Sequence, residues 1–306
     1  MNRSLIIIFF ILIFYIGFVV FSDFNKISNN IININFKFIP IIILFVFSGF
    51  TIMGIRQCYL LNQIDVKISI KENIKLYFTG LSMILTPGGS GQLIKSFYLK
   101  KKYNYEIKKT LPLVFVERFI DLMCIITLIA SSLLFVQNIE ITIIVIIGII
   151  LIVAVILGIR FKKLFNIFLI ILSKIPFLKK NLDEINDIHD SLIKMTTVKS
   201  FTIGFIFGIF AFCFDVIAVF FVFTAFDVQL DFLKMITAIY PSILYGALSF
   251  IPGGIGITEL NVVRFLTNEG LSISLSSTII LMIRFFTLWI STVVGFVMTK
   301  IFLKNN

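Results

Sequence analysis

Charge is scarce in this chain: Asp, Glu, Lys and Arg make up 14% of its 306 residues, and histidine occurs once. Soluble globular domains carry roughly 25% charged residues, so that class is excluded. The single histidine, His189, lies in a polar stretch, which leaves the apolar segments without an imidazole for acid–base chemistry. The three cysteines, Cys58, Cys124 and Cys213, sit within or at the edge of apolar runs, so a disulfide framework is not indicated. No nucleotide-binding loop and no metal-ligand cluster is present, so the sequence calls for no metal and no cofactor. The apolar run over residues 5–21 is followed by Ser22-Asp23-Phe24-Asn25, which lacks the small residues of a signal-peptide cleavage site; it reads as a retained first helix.

What the chain has in abundance is hydrocarbon, with 59% apolar residues and 37 Phe. Several runs exceed the roughly 18 residues that mark a membrane span. The fold class read from this is an all-α polytopic membrane protein. Full helices are expected near 4–21, 38–60, 110–136, 139–160, 200–225 and 271–302. Two further apolar stretches, near 76–99 and 232–268, are interrupted by glycine motifs. The reading gives a first membrane half over 1–160, a cytoplasmic amphipathic connector over 161–199, and a second half over 200–306.

The interruptions match. Pro87-Gly88-Gly89-Ser90-Gly91 precedes Arg118, and Pro252-Gly253-Gly254-Ile255-Gly256 precedes Arg284 at almost the same spacing. Broken apolar segments in corresponding halves point to a transporter-type site at the interface of two repeats. Each is read as a re-entrant hairpin with half-helices beginning at Gly89 and Gly254, whose positive N-terminal ends suit an anion. Irregular backbone is tolerated at membrane depth only where protein or a water-filled cavity surrounds it, so the glycine tips are expected to line a cavity. Gln92 and Glu259 follow the two breaks, where a side-chain acceptor would also cap a helix start.

Lysine and arginine give the orientation. With the N-terminus inside and each hairpin returning to its side of entry, 21 of the 27 basic residues fall inside, Arg56 and Lys95 among them. Both termini are then cytoplasmic and the two hairpins are inverted relative to each other. The remaining charges lie inside spans: Glu117, Arg118 and Asp121 in the third helix, Asp215 in the fifth and Arg284 in the sixth. Ionised groups at that depth cost roughly 2.5–3.5 kcal/mol each, which favours pairing or a function. Arg118 has Asp121 one turn away, whereas Arg284 has no local acid and needs Asp215, Glu259 or an anionic ligand. A network that only fixes helix packing is the alternative to a binding site.

At these residues the chain resembles the lysylphosphatidylglycerol synthase transmembrane-region family, the flippase-like domain of multiple-peptide-resistance-type proteins. The resemblance runs over roughly residues 5–303. It rests on Pro87–Lys95, Glu117-Arg118-Phe119-Ile120-Asp121, Pro252-Gly253-Gly254-Ile255-Gly256 with Glu259, and Arg284. Gln92 and Lys95 depart from it, since the family usually has an acid at the first position and often arginine at the second. The resemblance implies translocation of an anionic phospholipid or polyprenyl-phosphate-type lipid without lipid synthesis. Arg118 and Arg284 would hold the phosphate, with Glu117, Asp121, Asp215 and Glu259 as partners. The expected partners are a membrane lipid and a separate lipid-modifying or glycosyltransferase enzyme that supplies it, and not nucleic acid. An ion-coupled transporter of a water-soluble anion is the alternative, and a lipid-linked transferase stands behind it.

Overall fold

The computed structural model describes Tyr15, residues 17–18, 22–134, 138–161 and 185–304; most of the expected first helix near 4–21, and connector residues 162–184, lie outside these. Among the described residues the fold is all-helical. The helices are α1 (Phe24–Ile32), α2 (Ile39–Asn62), α3 (Ile70–Leu81), α4 (Ile94–Tyr103), α5 (Ile107–Thr110), α6 (Pro112–Ser132) and α7 (Ile139–Arg160). They continue as α8 (Ile185–Met195), α9 (Val198–Ala225), α10 (Phe232–Leu248), α11 (Ile257–Asn268), α12 (Ile273–Arg284) and α13 (Ile290–Lys304). A π-helical turn, Phe285–Trp289, joins α12 to α13.

Among the described residues, four segments are long and apolar enough to cross a membrane: Phe36–Asn62, Ile139–Arg160, Val198–Ala225 and Ile273–Phe302. At 1.5 Å per residue a 22-residue helix reaches about 33 Å, enough for a bilayer core. Helix α7 turns most of its isoleucines outward, as a lipid-facing helix should. Helix α6 matches these in length with 21 residues but carries Glu117, Arg118 and Asp121.

Hydrogen bonds between loops sort the helix ends into two faces. On one, Tyr105 bonds Lys67, Lys102 bonds Glu72 and Phe302, and Arg160 bonds Thr196. On the other, Asn35 bonds Ala225, Arg264 bonds Glu140, and Lys234 bonds Glu269. Helices α2, α7, α9 and α12–α13 therefore run from face to face.

The two glycine-broken segments double back. Glu72 at the start of α3 lies 2.8 Å from Lys102 near the end of α4, so the outer ends of the two limbs meet. Lys234 at the start of α10 lies 2.7 Å from Glu269 just beyond α11, on the opposite face. Helices α2 and α9, which precede the two hairpins, pack along each other. Helix α6 packs on the first limb of the second hairpin, and α13 on the first limb of the first. Gly295 makes the latter contact possible, since a Cβ there would stand 2.2 Å from the Ser82 backbone nitrogen.

The breaks are longer than the sequence suggested. A 3₁₀ segment, Pro87–Leu93, carries the first motif, and the α-helical limb starts at Ile94 rather than Gly89. In the second motif Gly253, Gly254 and Gly256 all have positive φ, at 63°, 64° and 94°, and the limb starts at Ile257 rather than Gly254. Consecutive left-handed residues are open to glycine and costly for other residues, which delays the helix.

Candidate functional site

The two glycine breaks pack against each other. A Cβ on Gly253 would lie 3.0 Å from Leu85 Cδ2 and 3.4 Å from Leu288 Cδ2. A group of buried charges flanks each break.

Beside the first, Arg118 lays its side chain along Gly89, where a Cβ would meet Arg118 Cδ at 3.6 Å. Its Nη2 donates to Gln92 Oε1 at 3.3 Å and pairs with Asp121 Oδ2 at 3.1 Å. The other oxygen of Asp121 pairs with Arg56 Nη1 at 2.7 Å, so one carboxylate bridges two guanidiniums. Arg56 on α2 is fully buried, whereas the Arg118 side chain is 34% exposed. Arg56 is therefore the structural arm of the triad and Arg118 the accessible one.

One turn before Asp121, Glu117 turns to another partner. Its Oε2 accepts from Lys95 Nζ at 2.5 Å, both side chains being wholly buried. Lys95 also donates to Gln57 Oε1 at 2.9 Å; Gln57 donates to Asn73 Oδ1, and Asn73 to the Gly54 carbonyl. This chain of polar contacts ties α4 to α2, α3 and α6. Gly80 leaves room for the lysine stem, because a Cβ there would stand 2.9 Å from Lys95 Cδ.

Beside the second break, Glu259 is fully buried in the first turn of α11. Its Oε2 accepts from the Gly256 backbone N–H at 2.7 Å, and its Oε1 accepts from Arg284 Nε and the Tyr15 hydroxyl, each at 3.0 Å. The Tyr15 ring meets Trp289 edge-on, with centroids 5.6 Å apart. Glu259 thus caps its own helix and also serves Arg284.

Several expected residues are placed together: Gly89, Gln92, Arg118 and Asp121 in one group, and Gly256, Glu259 and Arg284 in the other. Gly253 faces Leu85 of the first break, Gly254 packs on Gly246 and Thr258 of its own segment, and Gly91 N–H donates to Thr86 Oγ1 at 2.6 Å within the first. Gly88 lies in the 3₁₀ segment. Asp215 joins neither group and accepts from Tyr240 at 2.9 Å. Gln92 bonds Arg118 instead of capping α4. His189 lies 3.2 Å from the Ile159 carbonyl and helps seat α8 on α7.

The sequence reading missed Arg56, Lys95, Gln57, Asn73 and Tyr15. Arg56 and Lys95 were assigned to the inner rim, yet both are entirely buried. The signal existed for each, since Arg56 lies within the apolar run over 38–60 and Lys95 within the broken one over 76–99. Removing both leaves nineteen basic residues on the side read as inner, still far above the four outside.

Buried donors without partners mark where these groups are incomplete. Arg118 Nε, Gln92 Nε2 and Arg284 Nη2, and likewise Nε and Nη2 of Arg56, are shielded from solvent and make no hydrogen bond among the described residues. A shielded donor left unmade costs about 1–3 kcal/mol, and each of these would suit an oxygen acceptor.

A helical membrane protein with paired broken helices and arginines beside them is the class these features define. The chain belongs to the lysylphosphatidylglycerol synthase TM region family, whose sequence profile matches residues 5–295. It is also 23% identical over 296 residues to a UPF0104 membrane protein of Pyrococcus horikoshii, covering 88% of each chain.

Proposed function

We propose that this protein is a lipid translocase that moves an anionic phospholipid or polyprenyl-phosphate-type lipid between leaflets. Six full spans and two re-entrant hairpins would carry it, both termini being cytoplasmic. The observation that carries the reading is the meeting of the two glycine breaks, each with an arginine that keeps an unused buried donor. Arginine suits phosphate because its planar fork donates two bonds and keeps its charge when desolvated. Arg118 and Arg284 each pair with an internal carboxylate through part of the guanidinium. Exchange of that carboxylate for phosphate gives two states of similar energy, as alternating access requires. The site supplies binding and release and no covalent step. Its substrate would come from a separate lipid-modifying or glycosyltransferase enzyme.

The test is a leaflet-accessibility assay in proteoliposomes with fluorescently labelled phosphatidylglycerol. Arg118→Ala and Arg284→Ala should each abolish protein-dependent translocation. Unchanged translocation in both would remove the site assignment. Transport of a soluble anion instead, with no lipid movement, would establish the carrier reading.

A further inference from the structure

Asp215 lies within α9, roughly 25 Å from its start and 15 Å from its end along the axis. It sits at bilayer depth on the face-to-face arrangement above. The other acids in the interior have cations: Glu117 has Lys95, Asp121 has Arg56 and Arg118, and Glu259 has Arg284. Asp215 is hydrogen-bonded to a phenol, the Tyr240 hydroxyl of α10.

Among the described residues, the helices packed on α9 offer nothing else to balance a charge there. From α2, Arg56 reaches the α9 backbone at Gly208, two turns from Asp215, and is committed to Asp121. From α6, Cys124 meets the same glycine. From α12, Arg284 is taken by Glu259; from α10, Lys234 is taken by Glu269. Lys37, before α2, and His189, Asp190 and Lys194 of α8 lie toward the two ends of α9. Cys213 is on α9 itself. No group of three or more His, Cys, Asp or Glu side chains among the described residues could hold a metal ion.

We infer that Asp215 is a proton-binding carboxyl that couples the transport cycle to a proton gradient, an inference that rests on the translocase reading. An ionised carboxylate at that depth is costly without a cation, and a neutral carboxyl facing one phenol is not. A hydronium ion on one side gives its proton to the carboxylate, its own O–H bond breaking to leave water as the carboxyl O–H bond forms. On the other side the carboxyl O–H bond breaks and a water molecule takes the proton as hydronium. The device for motion is adjacent: Pro241 follows Tyr240 inside α10 and removes a backbone donor from the first limb of the second hairpin. Asp215 is part-buried, and loss of the proton leaves a charge that the Tyr240 contact alone does not balance, which favours a limb position that opens the carboxylate further to water. Proton occupancy at Asp215 and the position of the second hairpin are thereby linked.

The experiment pairs infrared difference spectroscopy across pH with the leaflet assay. Wild type, Asp215→Asn, Asp215→Glu and Tyr240→Phe are reconstituted in phosphatidylcholine–phosphatidylglycerol vesicles. Wild type should show a protonated-carboxyl band that titrates, is lost in Asp215→Asn, moves in Asp215→Glu and shifts in Tyr240→Phe. A one-unit pH gradient, worth about tenfold in proton activity, should change wild-type lipid translocation several-fold and leave Asp215→Asn unresponsive. A carboxyl band and a gradient response both unaltered in Asp215→Asn would overturn the inference. If wild type moves no lipid, the translocase reading fails by itself, and the band still decides whether Asp215 binds a proton. Should Asp215→Asn not fold, the band position in Tyr240→Phe and Asp215→Glu decides it.

Discussion

Lys95 on the second limb of one hairpin pairs with Glu117 on the following helix, both wholly buried and 2.5 Å apart. In the other half Glu259, also on a second limb, pairs with Arg284, which corresponds by spacing to Arg118 and not to Glu117. The matching contact in the first half is the one from Arg118 to the neutral Gln92, at 3.3 Å. The mouths carry pairs of reversed polarity, Glu72 with Lys102 in one and Lys234 with Glu269 in the other.

The Lys95–Glu117 pair should respond asymmetrically to mutation. Lys95→Met leaves a buried carboxylate and is expected to cost about 3–5 kcal/mol, whereas Lys95→Met with Glu117→Leu should recover most of that. Thermal unfolding in detergent measures both. Equal losses in the single and double variants would show that the pair itself stabilises the fold.

Arg56 and Arg118 share Asp121 but should separate by phenotype. Arg56→Met is expected to lower the unfolding midpoint strongly, because Asp121 then loses its fully buried partner. Arg118→Ala should change it little, the side chain being 34% exposed, while abolishing translocation. Midpoints of the two variants, measured side by side, check the division.

Gly89 has φ +67° and lies against Arg118. Gly89→Ala should cost about 1–2 kcal/mol from the left-handed backbone, the added methyl making ordinary contact with Arg118 Cδ at 3.6 Å while the strained turn shifts beneath it. A reduced translocation rate with a modestly lowered midpoint is the expected result. A midpoint equal to wild type would show that the turn tolerates a side chain.

Acid should loosen the mouth of the first hairpin. Hydrogen bonds from Lys102 and then Lys75 hold the Glu72 carboxyl down at about 2, below its usual 4.5. A carboxyl lowered by folding contributes stability that is complete above its unfolded value and is lost as pH falls toward the folded one. The wild-type midpoint should therefore drop between about pH 4.5 and about pH 2 by more than that of Glu72→Gln. Parallel acid curves would show that the contact contributes nothing.

The orientation is checked by cysteines placed at Lys101 and Arg264 in a Cys213→Ser background. An impermeant maleimide added to intact cells should label the second position and not the first. The reverse pattern would invert the topology.

The sequence alone determined the membrane class, most of the helix boundaries and the two breaks, because apolar run length, proline and glycine act locally. It also marked Arg118, Asp121, Glu259 and Arg284, since a charge inside an apolar run is visible without any fold. Only the tertiary structure decided the pairings. Arg56 and Lys95 looked like rim cations because a helix end in sequence does not say how deep a neighbouring limb carries it. Asp215 was a candidate partner for Arg284 until the fold gave Arg284 to Glu259 and left Asp215 to Tyr240. Which carboxylate meets which cation depends on contacts between segments as far apart as Arg56 and Asp121, and no local pattern encodes those.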